Sequence, residues 1–477
     1  MARIPKALKI SLFAFGALAG GVLIAALVVP ALVDIDDYRP RVEAAASGSL
    51  GMDVTVEGPL RLGLLPRLHI VLGNVRVRNR GSELAFIESA DLSIELLPLL
   101  RRELRYSGID LERTRLTIER GRDGYNFQKP PGEASAFRPL ELSRVSFPSL
   151  VLVYVDKVAG TGFESANCSG ELTDLTHPGG APFLMRLSLA GQVACDDLHG
   201  KETTMSDVKF SLSATDGVFD FKPFTMRFAG GQGSRSLRVD RSAPIQVLHL
   251  DYTLSKFHVE QSFKALLRGE RKVKGVMDLS TTLVMRGRSR VEFKQSAEGK
   301  ISLSGKDLTL TGADLDQAIA KYGASQNFNL LDLSAFVLAG PFGLMATKGY
   351  ELSTLAENAG GSTHIGTVVS RWKVTKGVAH AEDVAMATAE NRLAFHGALD
   401  FVRDEYSDVV VAVVDSNGCE KVRQRVHGPI SKPVVEKPGA LKSLAGPVVN
   451  LIGKARDLLP GGTKCEAFYQ GSVAPPK

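Results

Sequence analysis

The sequence lacks the short motifs that identify most enzymes. It contains no G-x-S-x-G nucleophile elbow and no HExxH pair, and its nine histidines never fall four residues apart. The glycine clusters at 160–162 and 230–233 carry no P-loop lysine and are typical of turns. We therefore predict a protein that is not an enzyme and holds no metal or cofactor. An enzyme would need carboxylates or histidines that meet in one cleft only after folding.

Long runs of one charge sign are also missing. The formal net charge of +6 is spread along the chain, and the densest basic stretches, at 101–102 and 268–274, are short. Such stretches are typical of solvated turns and helix ends, and a lipid-headgroup site is the alternative interpretation. We expect no nucleic-acid partner.

Cysteine is scarce, and its spacing limits its chemistry. Cys168 and Cys195 form one pair that is local in sequence, and Cys419 and Cys465 form another. Neither pair is a CxxC, which argues against a zinc ribbon or a thioredoxin motif. In an oxidising compartment each pair would form a disulfide, and closure of the Cys419–Cys465 loop would contribute about 4 kcal/mol. Free buried thiols are the alternative.

One long apolar run is present, at residues 10–33, and it contains no charged side chain. About 20 apolar residues cross the core of a bilayer as a helix. Basic residues precede the run and acidic residues follow it, namely Arg3, Lys6, Lys9, Asp34, Asp36 and Asp37. The positive-inside rule then predicts a cytoplasmic tail at 1–9 and a body outside the cytoplasm. A cleaved signal peptide is the alternative, although its apolar region is usually shorter, about 7–15 residues.

After the apolar run, Ile35, Tyr38, Val42 and Ala45 recur at helical spacing and predict a short helix that ends by Gly51. From Met52 onward apolar residues occupy every second position, which is typical of half-buried strands. Helices do not alternate with these strands, so we predict a mainly β fold: an elongated, curled antiparallel sheet with a few amphipathic helices. The alternating residues predicted to line its apolar face are Val54, Val56, Val75, Val77, Ile94, Leu96, Leu116, Ile118, Ile301 and Leu303.

Three amphipathic helices are predicted from apolar stripes that begin at Val259, Leu315 and Leu444. We expect each helix to cover or cap the sheet, and direct membrane contact is the alternative. The only tryptophan, Trp372, is expected in the core or in the lining of a groove. Where the apolar face lacks a second layer, it would form a groove lined by aliphatic side chains, which suits acyl chains.

Four blocks of residues carry a family resemblance. They are Asp36-Asp37-Tyr38 through Gly58-Pro59-Leu60 to Leu65-Pro66-Arg67 and Asn79; Leu99 to Leu104 with Asp123-Gly124-Tyr125-Asn126-Phe127; Gly312-Ala313-Asp314-Leu315-Asp316; and Asp383 to Phe401 followed by Gly418-Cys419, Gly428-Pro429 and Cys465 to Val473. Together these blocks resemble the AsmA family of envelope proteins. The last block resembles a subtype whose tail carries a cysteine before Phe-Tyr.

The resemblance implies an inner-membrane protein of a diderm bacterium, with one membrane span, a cytoplasmic N-terminus and a periplasmic body. It also implies a link to outer-membrane assembly, and larger relatives are associated with phospholipid movement along a hydrophobic β-groove. The expected partners are therefore the inner membrane, phospholipid and outer-membrane assembly components. A scaffold or regulator of outer-membrane protein assembly that binds no lipid is the alternative.

The expected organisation has six parts. They are a cytoplasmic tail at 1–9, a membrane helix at 10–33, an AsmA-like helix with β-hairpins at 34–130, a central β region at 131–250, a C-terminal AsmA-like β region with short helices at 251–435, and a C-terminal helix with a disulfide-tied tail at 436–477.

Overall fold

A computed structural model gives the structure of the chain. It describes residues 35–63, 68–79, 81–95, 106–122, 124–128, 139–180, 183–201, 203–262, 272–312, 314–325, 361–430, 432–436 and 465–476. The predicted membrane segment at 10–33, the predicted lining residue Leu96 and the apolar stripe that begins at Leu444 lie outside these residues. Within the described ranges, no helix combines the length and the apolar character that crossing a bilayer requires.

The described residues form 22 strands and few helices, so the prediction of a mainly β fold is confirmed. The chain divides into two compact units, Met1–Phe221 and Lys222–Lys477. Strand β11, Val218–Phe228, contains the division between them.

The described part of unit 1 contains one α-helix, two short 3-10 helices at Ile35–Tyr38 and Phe183–Met185, and the first ten strands. The helix α1 spans Arg39–Leu50, and Gly51 follows it with a left-handed backbone (φ 64°), as the glycine spacing predicts. The strands are β1 Asp53–Val56, β2 Leu60–Gly63, β3 Leu68–Asn79, β4 Ser82–Ile94, β5 Tyr106–Gly121, β6 Gly124–Tyr125, β7 Leu140–Asp156, β8 Thr161–His177, β9 Ser188–Gly200 and β10 Thr204–Thr215.

The strands of unit 1 pair mostly with their sequence neighbours. β1 and β2 both pair with β3, and the ladder continues through β4, β5, β7, β8, β9 and β10. All of these pairs are antiparallel except β5 with β7, which is parallel. The expectation of an antiparallel sheet therefore needs this one correction. The parallel pairing has a physical reason. The short strand β6 runs antiparallel to β5 and turns the chain back, so that β7 then runs in the same direction as β5.

Helix α1 lies along the outer edge of β1. The backbone N–H groups of Val54 and Val56 that point away from β3 donate to the side chains of Ser47 and Glu43, at 2.9 and 2.7 Å. The Arg39 guanidinium donates to the carbonyl oxygen of Val56. An edge strand normally presents unpaired backbone groups, and here the side chains of α1 satisfy them in place of another strand.

The described part of unit 2 contains the remaining strands and three α-helices. The strands are β12 Gly231–Asp240, β13 Gln246–His258, β14 Lys272–Lys274, β15 Val276–Gly287, β16 Glu298–Thr311, β17 Ser362–Thr375, β18 Val378–Ala387, β19 Arg392–Asp400, β20 Glu405–Val414, β21 Glu420–Pro429 and β22 Val434–Val435. The helices are α2 Val259–Ser262, α3 Arg290–Ser296 and α4 Leu315–Ser325. α2 and α4 begin at two of the predicted stripes.

One face of the unit 2 sheet is packed into a continuous core. Side chains from β13 through β21 form a single buried cluster, to which α4 contributes Leu315. Trp372 lies in it, with its ring 5.3 Å from that of Phe395 and its indole N–H donating to Ser370 Oγ at 2.7 Å. Trp372 is therefore a core residue.

The predicted cysteine pairs are both present as disulfides. Cys168 is bonded to Cys195 between β8 and β9, and Cys419 is bonded to Cys465 beside the C-terminal tail. No free cysteine remains among the described residues, which removes the alternative of buried thiols.

The C-terminal tail, residues 465–476, covers the other face of β17–β20. Tyr469 and Val473 pack against small side chains on that face, such as Ala385, Ala394 and Ala412. Small residues let the tail lie close to the sheet, so these strands are covered on both faces.

Two buried charged side chains hold this tail. Asp383 accepts hydrogen bonds from Tyr469 Oη at 2.5 Å and from Ser472 Oγ at 2.7 Å. Arg392 donates to the carbonyl oxygen of Val473 at 3.0 Å and lies over the ring of Tyr469. Burial acts to raise the pKa of Asp383, but the hydrogen bonds from Ser472 and Tyr469 outweigh burial, so that pKa lies below its ordinary value.

Acidification is expected to weaken the attachment of the tail. Because the pKa of Asp383 is lower in the folded than in the unfolded chain, its contribution to stability is complete above the ordinary aspartate pKa and is lost as pH falls through the folded value. Between about pH 5 and about pH 2, the wild-type chain should lose more stability than the Asp383→Asn variant. Thermal unfolding of the full chain in mild detergent at each pH measures this difference.

The neighbouring Glu382, which is exposed, offers a matched control. The Glu382→Gln variant should follow the wild type at every pH. Parallel stability curves for the wild type and Asp383→Asn would contradict the assigned role of Asp383.

Candidate functional site

The central strands of unit 1 carry a broad apolar surface on one side of the sheet. The ladder places Leu116 of β5 opposite Leu152 of β7, and Ile118 opposite Tyr154. Because residues directly opposite share a face, apolar side chains line up across the strands. We call this surface the apolar face. Its half-buried members are Ile87, Leu92, Ile109, Leu111, Leu116, Ile118, Leu150, Leu152, Tyr154, Phe163, Leu172, Val193, Leu198, Met205, Phe210 and Leu212.

A line of interrupted pairing crosses these strands. Four non-glycine residues on it have positive φ: Asn74, Arg113, Asn167 and Asp207. Asn74 and Arg113 both lie opposite Glu88, and Asn167 and Asp207 both lie opposite Asp196. Positive φ interrupts an extended strand and bends it. Because the bends are aligned, they form one line across the sheet, which we call the crease.

The crease has a measurable effect on which side chains share a face. On β5, Leu111 and Thr114 lie on the same side of the sheet although they are three residues apart, because the crease falls between them. Leu111 is opposite Ala90 on β4, and Thr114 is opposite Ile87. A sheet bent along a line across its strands is a shallow trough. The apolar side chains on this side are half-buried. Leu111 and Leu116 also pack against the buried cluster that α1 contacts, and Leu172 and Leu212 pack against a second cluster that contains Leu187 and Leu189.

The opposite side of the same strands is polar and ion-paired. Arg144 bonds Asp110 at 2.6 Å and Glu171 at 3.3 Å, and Arg113 pairs with Glu88 next to the crease. Burial, reinforced by the nearby carboxylates Asp110 and Glu112, raises the pKa of Asp91 on this side. Val151, Val153 and Val155 of β7 also lie on this side, so the contrast between the two sides rests on the ion pairs of the neighbouring strands.

A charged pair marks one end of the apolar face. Arg120, at the end of β5, donates to Asp156 of β7 at 2.9 Å. The Asp156 carboxylate also accepts from the backbone N–H groups of Val158 and Ala159. The hydrogen bond from Ala159 is the largest cause that lowers the pKa of Asp156, and Arg120 adds to it. A fixed ion pair here limits the apolar surface at the turns.

The predicted lining residues fall into three groups. Leu116 and Ile118 lie on the apolar face and are half-exposed, whereas Ile94 lies on the same side but is buried. Buried near α1 are Val54, Val56, Val75 and Val77. Buried in the core of unit 2 are Ile301 and Leu303.

Most of the apolar face was not predicted from the sequence. Strands β7 to β10 supply more than half of it, and the run Leu150 to Tyr154 was the available signal. That run is apolar at every position, so it shows no alternation that would assign a face.

The Cys168–Cys195 disulfide lies on the apolar face beside the crease. Cys168 is opposite Leu150, and Cys195 is opposite Val208. The bond joins the two strands directly across the ladder. It therefore fixes the register of β8 and β9 where both strands bend.

The described residues contain no group of three or more side chains that could hold a metal ion. The described strands of unit 1 therefore carry half-buried apolar side chains on one side of the sheet and ion pairs on the other. Apolar surface of this kind is the usual feature of a surface that contacts a ligand or a partner.

The chain belongs to the AsmA family. The family's model matches residues 4–135 and 190–384, which is more than half of the chain, and so establishes the resemblance stated above. No curated protein matches the chain. Membership supports a function related to the envelope and outer membrane at family level, and the family is not known as enzymatic.

Removing the Cys168–Cys195 bond is expected to loosen the trough. Loss of this cross-link from a 27-residue separation should lower the free energy of unfolding of the Cys168→Ala/Cys195→Ala variant by about 3–4 kcal/mol. Chemical denaturation measures the loss, and hydrogen exchange should place the faster amides in β8 and β9 rather than in β17–β20.

The Ser169→Ala variant leaves the disulfide intact on the same strand and serves as the control. A double variant as stable as this control would show that the bond does not constrain the trough.

Proposed function

We propose that this protein is a single-pass inner-membrane protein with a periplasmic body, and that it binds and guides phospholipid acyl chains along the apolar face of unit 1. The observation that carries the proposal is a half-buried aliphatic and aromatic surface on six adjacent strands, with ion pairs on the other side of the sheet. The apolar run at 10–33, with basic residues before it and acidic residues after it, supports the membrane anchor.

The dimensions of the apolar face suit an acyl chain. Six strands, β4, β5 and β7–β10, spaced about 4.8 Å apart, extend over roughly 24 Å. One leaflet of a bilayer core, about 15 Å thick, gives the scale of an acyl chain. A chain lying across the strands therefore fits within the face. Each buried methylene would contribute about 0.8 kcal/mol, so reversible binding needs no polar specificity.

A substitution on the apolar face tests this function. Ile118→Glu places a carboxylate where an acyl chain would lie, while Thr117→Glu places one at the adjacent position on the polar side. Loss of contact with two methylenes, about 1.6 kcal/mol, corresponds to roughly tenfold weaker binding. Phospholipid that co-purifies in mild detergent, measured by mass spectrometry, should fall for Ile118→Glu and remain for Thr117→Glu.

One observation favours a second function, a scaffold for outer-membrane protein assembly that binds no lipid. The inner face of unit 2 is closed by its own side chains, and both Ile301 and Leu303 are buried there. A wild-type preparation free of lipid would favour the scaffold over lipid binding.

A further inference from the structure

We propose that α1 is a displaceable lid over the first strands of unit 1, and that its movement gives membrane phospholipid access to the apolar face. This inference rests on the proposed function and identifies where the ligand enters the trough. The argument depends on what α1 covers, how it is attached and where it lies in the chain.

Helix α1 covers the part of the sheet that is otherwise continuous with the apolar face. Val56 and Val75 are only 3% and 5% exposed, whereas their ladder neighbour Ile87 is half-exposed. From α1, Val42 and Ala46 pack against this buried cluster. Without α1, the buried valines of β1 and β3 would extend the apolar face to the edge of the sheet.

Besides the apolar contacts of Val42 and Ala46, three side-chain hydrogen bonds at the edge of the sheet attach α1. Its side chains replace a strand at the edge of β1, with Ser47 and Glu43 accepting from backbone N–H groups and Arg39 donating to a carbonyl. Water can take over all three hydrogen bonds without breaking any β-ladder. No described side chain of α1 is fully buried. Lifting the helix therefore exposes little of its own apolar surface.

The backbone after α1 suits a hinge. Gly51 follows the last residue of α1 and has a left-handed conformation. Glycine at this position lets the chain change direction between α1 and β1 without moving the sheet.

The position of α1 indicates that its neighbour is the membrane. The predicted span ends at Val33 and α1 begins at Arg39, so the two are separated by at most about 20 Å of extended chain. Large apolar side chains stand exposed at both ends of the helix, Tyr38 at 49% and Leu50 at 42%. Arg41 lies over the Tyr38 ring. Tyrosine and arginine are typical of the membrane–water interface, which favours phospholipid as the occupant of the opened face.

Locking the lid tests the inference. All four native cysteines are disulfide-bonded, so thiols introduced by Glu43→Cys and Glu57→Cys react selectively with a short bismaleimide that joins α1 to the segment after β1. The full chain is reconstituted in phosphatidylethanolamine vesicles that carry a diazirine on the acyl chain. Photolabelling of β5–β10 peptides is then measured by mass spectrometry.

The matched control joins Gln192→Cys to Ser211→Cys, which lie directly opposite on β9 and β10, far from α1 in the ladder. Locking the lid should reduce labelling at least about tenfold relative to the same variant before cross-linking, because lipid reaches only molecules with an open lid. Cross-linking the control pair should leave labelling unchanged.

The outcomes separate this inference from the proposed function. Equal labelling of locked and unlocked lids would overturn the lid and leave lipid binding intact. Absence of labelling in every sample, the wild type included, would overturn both. Loss of labelling in both cross-linked pairs would assign the effect to the reagent and reject the lid.

Discussion

The constraint on which this structure depends is the cost of leaving apolar side chains on one side of a sheet. In unit 2 the sheet packs those side chains into its own core, and the C-terminal tail closes the other face of β17–β20. In unit 1 six strands keep theirs only half-buried. Because apolar surface left in contact with water is unfavourable, a ligand or partner would gain free energy by covering it. This difference between the two units is the basis of the proposed function.

The crease sets the shape of the unit 1 sheet. Aligned residues with positive φ bend neighbouring strands at the same level, so the sheet folds along a line while its ladder stays paired on either side of that line. Asn and Asp supply three of the four residues, and these types tolerate the left-handed region better than most. Arg113 is the exception, and it forms an ion pair with Glu88, the residue opposite it on the crease.

Much of the fold could be predicted from the alternation of apolar residues, but the binding surface only in part. Strands β1 to β5 were predicted because Val54, Val56, Val75 and Val77 mark a clear period of two. At the crease, the alternation of side chains between the two faces shifts by one residue within a strand. A search of the sequence for a regular period of two does not detect such a shift. The burial of the same valines depends on α1, and the edge hydrogen bonds of Glu43 and Ser47 have no sequence signature.

The edge of β1 has a consequence for self-association. An unpaired strand edge is a template on which a second copy can add a strand and begin a fibre. Arg39, Glu43 and Ser47 occupy that template in the resting molecule. If α1 moved away, the edge of β1 would be unpaired. The protein would then need to make that movement at the bilayer surface, where its nearest neighbour is lipid rather than another copy of the chain.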